Sequence, residues 1–364
     1  MKVATIRTLD NKERYMLVNT DGFSIDVVNK YLKYKDSYGS ARNTLKTYCY
    51  HLKLYFEYIE QSKLNYLNVS IDSMANFLHW LQTPHNSNST INLKPIESKR
   101  SARSINIIIS VVLDFYDYLL RNSAYEGKIS EQLKKEMSGS KRGYKGFLYH
   151  IQKDKTYLQK ILKLKESKKK PKTLQKKQVE ELLNNCLNLR DKFLISLLYE
   201  SGMRIGEALG LWIEDFSIDG RKVEIKDRGE LENGAELKSI NAPRIIDISD
   251  DLINLFIDYI SKYHDDNVDT NHVFIKIAGE NRYKPMEYPD VDSLFKRLEK
   301  KTSIHATPHM LRHTSLTELR RAGMQSEHLQ KRAGHADPNF TAQTYYHPTE
   351  EDIRKDWEIS NGSC

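Results

Sequence analysis

Apolar residues at three- and four-residue steps dominate the chain from Phe23 to about Asn122 and predict helices. Leu45, Tyr48, Cys49, Leu52, Phe56 and Ile59 fall on one helical face, with Arg42, Lys46 and Lys53 on other faces. A second helix is predicted from Ala102 to Leu120, where Ile105, Ile108, Ile109, Val112, Phe115 and Leu119 stay in register. Between the two lies the turn-rich run TPHNSNST, followed by Lys99, Arg100 and Arg103. The first 22 residues are short alternating pieces that predict a small hairpin or an arm.

A second body begins at Thr173. Gln178–Cys186 and Asp191–Tyr199 read as helices, and the nearly all-apolar run FLISLLY predicts that the latter is deeply buried. Two strand-like pieces follow, Lys222–Ile225 and Arg244–Ile248, joined by a polar, glycine-containing loop. Helical segments recur from Asp251 onward. The expected fold class is mainly α: a helical body, then a mostly helical body with a small antiparallel β-sheet. A length of 364 residues exceeds one ordinary core and agrees with two domains.

Charge adds a partner to this picture. Lys and Arg total 57 against 49 Asp and Glu, a net +8, which favours a polyanion such as nucleic acid. The excess is concentrated. Between Lys153 and Lys177 eleven lysines stand against Asp154 and Glu166, a local net of +9. Pro171 then blocks continuation of a helix. This stretch reads as an interdomain connection crossing DNA, with a solvated linker as the competing reading. Each phosphate neutralised there releases a counterion, so affinity would weaken steeply with salt.

Three cysteines, far apart in sequence, form neither a disulfide framework nor a zinc cluster and suit a reducing cytosol. No apolar stretch approaches the ~18 residues of a membrane span, and no signal core opens the chain, so a cytoplasmic location is expected.

Three clusters carry candidate chemistry. In Ser201-Gly202-Met203-Arg204-Ile205-Gly206-Glu207, a buried helix ends at Ser-Gly and Arg204 opens the next helix. A guanidinium at a helix start suits a phosphate, while an Arg204–Glu207 pair on the helix surface is the plain alternative. In Thr307-Pro308-His309-Met310-Leu311-Arg312-His313, Thr307 can cap a helix and Pro308 suits its first turn. His309 and Arg312 then share a face, with His313 close by, offering proton transfer and oxyanion clamping together. The His309/His313 spacing also matches part of a zinc protease motif, but that motif requires Glu where Met310 stands. The third cluster is Gly334-His335, followed by Thr344-Tyr345-Tyr346-His347.

These motifs, in this order, resemble the tyrosine recombinase or phage-integrase family, above all the recombinases of site-specific transposons and integrative elements. GMRIGE, a hairpin Lys, HMLR, GH and YYH correspond to the family's catalytic motifs, over about Pro171 to the C-terminus. The resemblance implies that Arg204 and Arg312 clamp the scissile phosphate, that His335 adds a hydrogen bond, that His309 moves a proton and that Tyr345 is the nucleophile. The Tyr-x-His spacing selects Tyr345 over Tyr346. Lys238 would protonate the departing oxygen, with Lys226 as the alternative, and His313 would be a supporting residue.

The implied organisation is an arm or hairpin at 1–22, a helical core-binding domain at 23–130, a basic interdomain region at 131–172, a catalytic domain at 173–348 and a tail at 349–364. Arg42, Lys46, Lys99, Arg100, Arg103, Lys168, Lys169, Lys170 and Lys172 are the candidate DNA contacts. The implied partners are double-stranded recombination sites and three further copies of the chain in a tetramer on two duplexes. No cofactor, metal or membrane is called for, and accessory recombination proteins are left open. In the tail, Ile353 and Trp357 lie four apart and would pack on a neighbouring copy or on their own domain. Two rival readings are a catalytically inactive DNA-binding regulator of this fold and a metal-dependent hydrolase using His309 and His313.

Overall fold

The structure is a computed structural model. It describes residues 1–10, 12–83, 100–122, 163–166, 172–237 and 242–334, with residues 354, 357, 358 and 361. The chain divides into two compact units, Met1–Lys168 and Lys169–Cys364.

In the first unit, β1 (Lys2–Arg7) and β2 (Glu13–Val18) form an antiparallel hairpin with Lys2 opposite Val18 and Arg7 opposite Glu13. Alternation along β2 turns Tyr15 and Leu17 into the helical core, so the hairpin is part of this unit's packing. Asn29 fixes its register: its side chain accepts from the Leu17 amide and donates to the Leu17 carbonyl. Among the described residues four α-helices follow, α1 (Asp26–Ser37), α2 (Arg42–Gln61), α3 (Ile71–Gln82) and α4 (Ala102–Arg121). Ser70 and Ser101 cap α3 and α4 by accepting from amides three residues on. The apolar stripes read from sequence on α2 and α4 are buried, apart from half-buried Tyr48.

The core is rich in aromatic rings, and their hydroxyls are satisfied internally. Tyr55 and Tyr116 share a hydrogen bond of 2.6 Å, Tyr116 donates to the Tyr66 carbonyl, and Tyr31 donates to Asp114.

Part of the expected interdomain stretch is held by this unit. Asn106, on α4, donates to the Leu164 carbonyl and to Glu166, and accepts from the Leu164 amide.

The second unit is built around α6 (Leu189–Ser201), which follows α5 (Lys176–Asn184). Phe193, Leu194, Ile195, Leu197 and Leu198 are all fully buried, so α6 has almost no wet face, as its apolar run predicts. A short α7 (Ile205–Leu209) leads to a three-stranded antiparallel sheet, β3 (Phe216–Ser217), β4 (Lys222–Ile225) and β5 (Arg244–Asp247), in that spatial order. Val223, Ile225 and Ile246 face the core. The helices α8 (Asp250–Tyr263), α9 (Tyr288–Thr302), α10 (Pro308–Arg321) and α11 (Ser326–Ala333) follow. Among the described residues no helix is long and apolar enough to cross a membrane.

Gly202 closes α6 in the left-handed region, φ +66°. A side chain there would also meet Leu316 at 3.1 Å and Ser315 at 3.2 Å on α10, so this glycine lets α6 and α10 approach.

Replacing Asn106 by Ala removes three bonds to residues 164 and 166. The expected cost is about 1–3 kcal/mol in local stability. Limited trypsin digestion should then cut faster after Lys163 and Lys165, and unchanged cleavage there would refute the tether.

Candidate functional site

Helix starts place Arg204 and the candidates of α10. Arg204 is the N-cap of α7, and its amide donates to Glu207 Oε2 at 2.8 Å, the return bond of a capping box. Thr307 caps α10 by accepting from the Met310 amide, and Pro308 occupies the first turn, as the sequence predicts. α11 ends at Gly334 in the left-handed region, φ +62°.

The end of α11 is where distant segments meet. Arg244 Nε donates to the carbonyl of Arg332 at 2.7 Å. Arg312 Nη2 donates to the carbonyl of Ala333 at 2.7 Å. Arg204 Nη2 reaches the carbonyl of Gly334 at 3.4 Å. Three successive carbonyls at a helix C-terminus thus accept from three arginines on β5, on α10 and at the start of α7. The last carbonyls of a helix carry partial negative charge and lack partners within the helix, so cations are favoured there.

Arg312 is the most enclosed of the three. It is 1% exposed and the largest fully buried side chain among the described residues. Its Nη1 donates to the Gly202 carbonyl at 2.6 Å, so one guanidinium joins the turn after α6 to the end of α11. The Arg332 side chain adds a brace, donating to the carbonyls of Glu200 and Asp247.

Among the described residues, Glu207 is the carboxylate bonded to Arg204 and Arg244, and it is 2% exposed. The Arg204–Glu207 pair weighed from sequence as a surface contact exists, at 2.8 Å, but it is buried and shared. Arg244 grips both oxygens of Glu207, at 3.2 and 2.8 Å. Burial pushes the Glu207 carboxyl up, but Arg244 and then Arg204 outweigh it and hold the pKa below the ordinary carboxylate value.

His309 is exposed and its ring stands edge-on to that of buried His313, 4.3 Å between centroids. Burial, then the nearby His309 and Arg312, push the His313 pKa down to about 4. His313 is therefore a neutral packing partner at physiological pH, while His309 faces solvent. Lys226, the alternative to Lys238, follows β4 and pairs with Asp215 at 3.3 Å and Glu224 at 3.2 Å. A cleft of about 930 Å³ lies between β5 and α11, bordered by Arg244, Lys331, Arg332 and Gly334.

The structure brings Arg204, Arg312 and the chain leading into His335 together, with His309 on the helix that carries Arg312. Lys238, His335, Tyr345 and Tyr346 lie outside the described residues, as do Lys99, Lys168, Lys169, Lys170 and Ile353. Among the first unit's candidates, Arg42 opens α2 and approaches Glu13 at 3.6 Å, and Lys46 lies over the Tyr15 ring. Arg100 donates to the Leu81 carbonyl and so braces the end of α3, while Arg103 is exposed in the first turn of α4. Lys172 is exposed. Among the described residues, no three His, Cys, Asp or Glu side chains are grouped as metal ligands.

Residues 172–352 match the phage integrase family, and residues 28–123 match its N-terminal SAM-like domain. Transposase A from transposon Tn554 of Staphylococcus aureus is 36% identical over 359 residues, covering 98% of this chain and 97% of that protein. Solved structures share the fold, among them the following two. The Tn1549 transposon integrase in complex with transposon right end DNA aligns with a TM-score of 0.61 at 19% identity, over 92% of this chain and 98% of that one. The XerH site-specific recombinase bound to a palindromic difH substrate aligns with a TM-score of 0.59 at 17% identity, over 92% and 84%.

The His313 shift carries a stability signature. The unfolded chain binds a proton near the ordinary value of 6.5, whereas the folded protein does so only near pH 4. The histidine's contribution is therefore complete above about pH 6.5 and lost as pH falls toward 4. Thermal midpoints should drop less on acidification in His313→Gln than in the parent. Parallel profiles would contradict this.

Proposed function

Since this chain belongs to the phage integrase family of tyrosine recombinases, we propose that it cuts and rejoins duplex DNA through a covalent bond between Tyr345 and a 3′-phosphate. The observation that carries the residue assignment is the meeting of Arg204 and Arg312 on the carbonyls of residues 334 and 333, next in the chain to His335.

A phosphodiester is anionic, and attack on phosphorus builds further negative charge on its nonbridging oxygens. Two guanidiniums anchored to backbone carbonyls are preorganised to meet that charge, with His335 as a third donor. The phenolic oxygen of Tyr345 forms a bond to phosphorus as the bond to the 5′-oxygen breaks. His309 takes the phenolic proton, and Lys238 gives a proton to the departing 5′-oxygen. Religation runs these transfers in reverse, with a 5′-hydroxyl attacking the phosphotyrosine. The ester keeps the energy of the broken linkage, so no nucleotide is consumed. Cationic side chains supply the charge that a divalent ion supplies in many nucleases.

Likeness to transposase A from Tn554 along nearly the whole chain supports movement of a mobile element as the biological setting. The first unit's SAM-like match supports a role in gripping duplex DNA, through exposed Lys46 and Arg103 and the basic stretch that includes Lys168, Lys169, Lys170 and Lys172. Pairwise strand exchange through a Holliday junction requires two duplexes and four active sites, hence a homotetramer in the cytoplasm.

The test uses a pool of nicked duplexes of randomised sequence and a denaturing gel. A protein–DNA adduct should form, survive a chelator and yield a selected site on sequencing. Tyr345→Phe should abolish the adduct and leave DNA binding intact. Arg204→Lys should slow it about a hundredfold or more, because an ammonium cannot reproduce the guanidinium fork. An adduct lost in Tyr346→Phe and kept in Tyr345→Phe would overturn the nucleophile assignment.

A further inference from the structure

We infer that Arg244 is a positioning residue for strand cleavage: it orients the Arg204 guanidinium through Glu207 and, through the Arg332 carbonyl, holds the end of α11 on which Arg312 and Arg204 rest. The inference builds on the phosphotyrosine reading above.

Arg244 borders the cleft beside α11, but its guanidinium is turned to partners within the protein. Its side chain is 6% exposed, although it lies on β5, the edge strand of a small sheet. All three guanidinium nitrogens are committed. Nη1 and Nη2 grip the two oxygens of Glu207, Nη1 also donates to the Ala242 carbonyl at 2.6 Å, and Nε donates to the Arg332 carbonyl. Only a planar fork with a third donor at its base satisfies a carboxylate and a carbonyl at once. A lysine ammonium keeps the charge and cannot span both.

Glu207 transmits the effect. Its oxygens serve Arg244, the Arg204 amide and Arg204 Nη1. While Arg244 takes a share of the carboxylate, Arg204 is held in place but not neutralised by an exclusive partner. Without Arg244, the buried carboxylate is left with Arg204 as its ion-pair partner among the described residues, and the pair tightens in surroundings of low dielectric. The guanidinium meant for a phosphate is then drawn toward Glu207. At the same time the Arg332 carbonyl loses its donor, one residue before the carbonyl that accepts from Arg312.

The experiment uses the full chain and the nicked duplex selected above, in two forms. One carries the ordinary scissile phosphate. The other carries a methylphosphonate, whose methyl group replaces one nonbridging oxygen and removes the charge. Single-turnover adduct formation in Arg244→Gln should slow by about ten- to hundredfold on the phosphate, the range seen when residues that orient functional ligands are removed. DNA affinity should stay within about twofold, because the Arg244 side chain is buried and its nitrogens are bonded within the protein. The slowing should shrink by about tenfold on the methylphosphonate, where a misplaced guanidinium costs far less. Arg244→Lys should behave like Arg244→Gln, and Glu207→Gln combined with Arg244→Gln should be less slow than the two single losses multiplied together. Equal slowing on both duplexes, a lysine variant that matches the parent, or strictly multiplicative losses would overturn the inference. Absence of any adduct from the parent chain would instead remove the phosphotyrosine reading beneath it.

Discussion

Three carbonyls at the end of one helix, each accepting from a different arginine, are the constraint on which the catalytic unit's geometry rests. Arg204, Arg312 and Arg244 come from segments far apart in the chain and have no local reason to meet. Guanidinium groups, each a positive charge spread over three nitrogens in a plane, repel their like unless something negative lies between them. Here the partial charge of a helix terminus and one buried carboxylate do that work. The same arrangement explains why α11 must end where it does. Gly334 turns the backbone into the left-handed region, which exposes the last carbonyls and sends the chain on toward His335.

Burial divides the labour among these groups. Arg312 is enclosed, bonded to two carbonyls, and behaves as a fixed charge built into the core. Arg204 keeps about a quarter of its side-chain surface accessible and is the more adaptable of the two. A buried charge is tolerated only when its hydrogen bonds are made, and Arg312 makes them to the backbone carbonyls of Gly202 and Ala333. The two histidines of α10 split in the same way, His313 kept neutral by its surroundings and His309 left facing water.

Much of this was legible in the chain itself, for identifiable reasons. The stripes on α2 and α4 and the all-apolar run of α6 follow from periodicity, because burial leaves a repeating mark. The roles of Thr307, Pro308 and Arg204 as openers of helices follow from capping chemistry, which is local. β3 and the helices α1 and α3 were not individually marked: two-residue strands carry no period, and α1 and α3 are short and interrupted by polar residues. Arg244 was read only as the first residue of a strand. Its tie to Glu207 spans 37 positions and depends on how β5 packs, which no local pattern encodes. Likewise, the Arg204–Glu207 spacing was visible, but whether the pair sat in water or inside the protein was decided by elements elsewhere.

The 3.4 Å contact from Arg204 to Gly334 is the longest of the three arginine–carbonyl bonds. If Arg204 takes a phosphate as proposed, that phosphate exchanges for this internal partner. Stray anions such as free nucleotides or inorganic phosphate would have to displace a bond already made, and gain little by doing so. Under the proposed reading, a substrate held in place by an entire duplex would be able to force that exchange, and selectivity against small bystander ions would follow from how the resting protein keeps its own cations occupied.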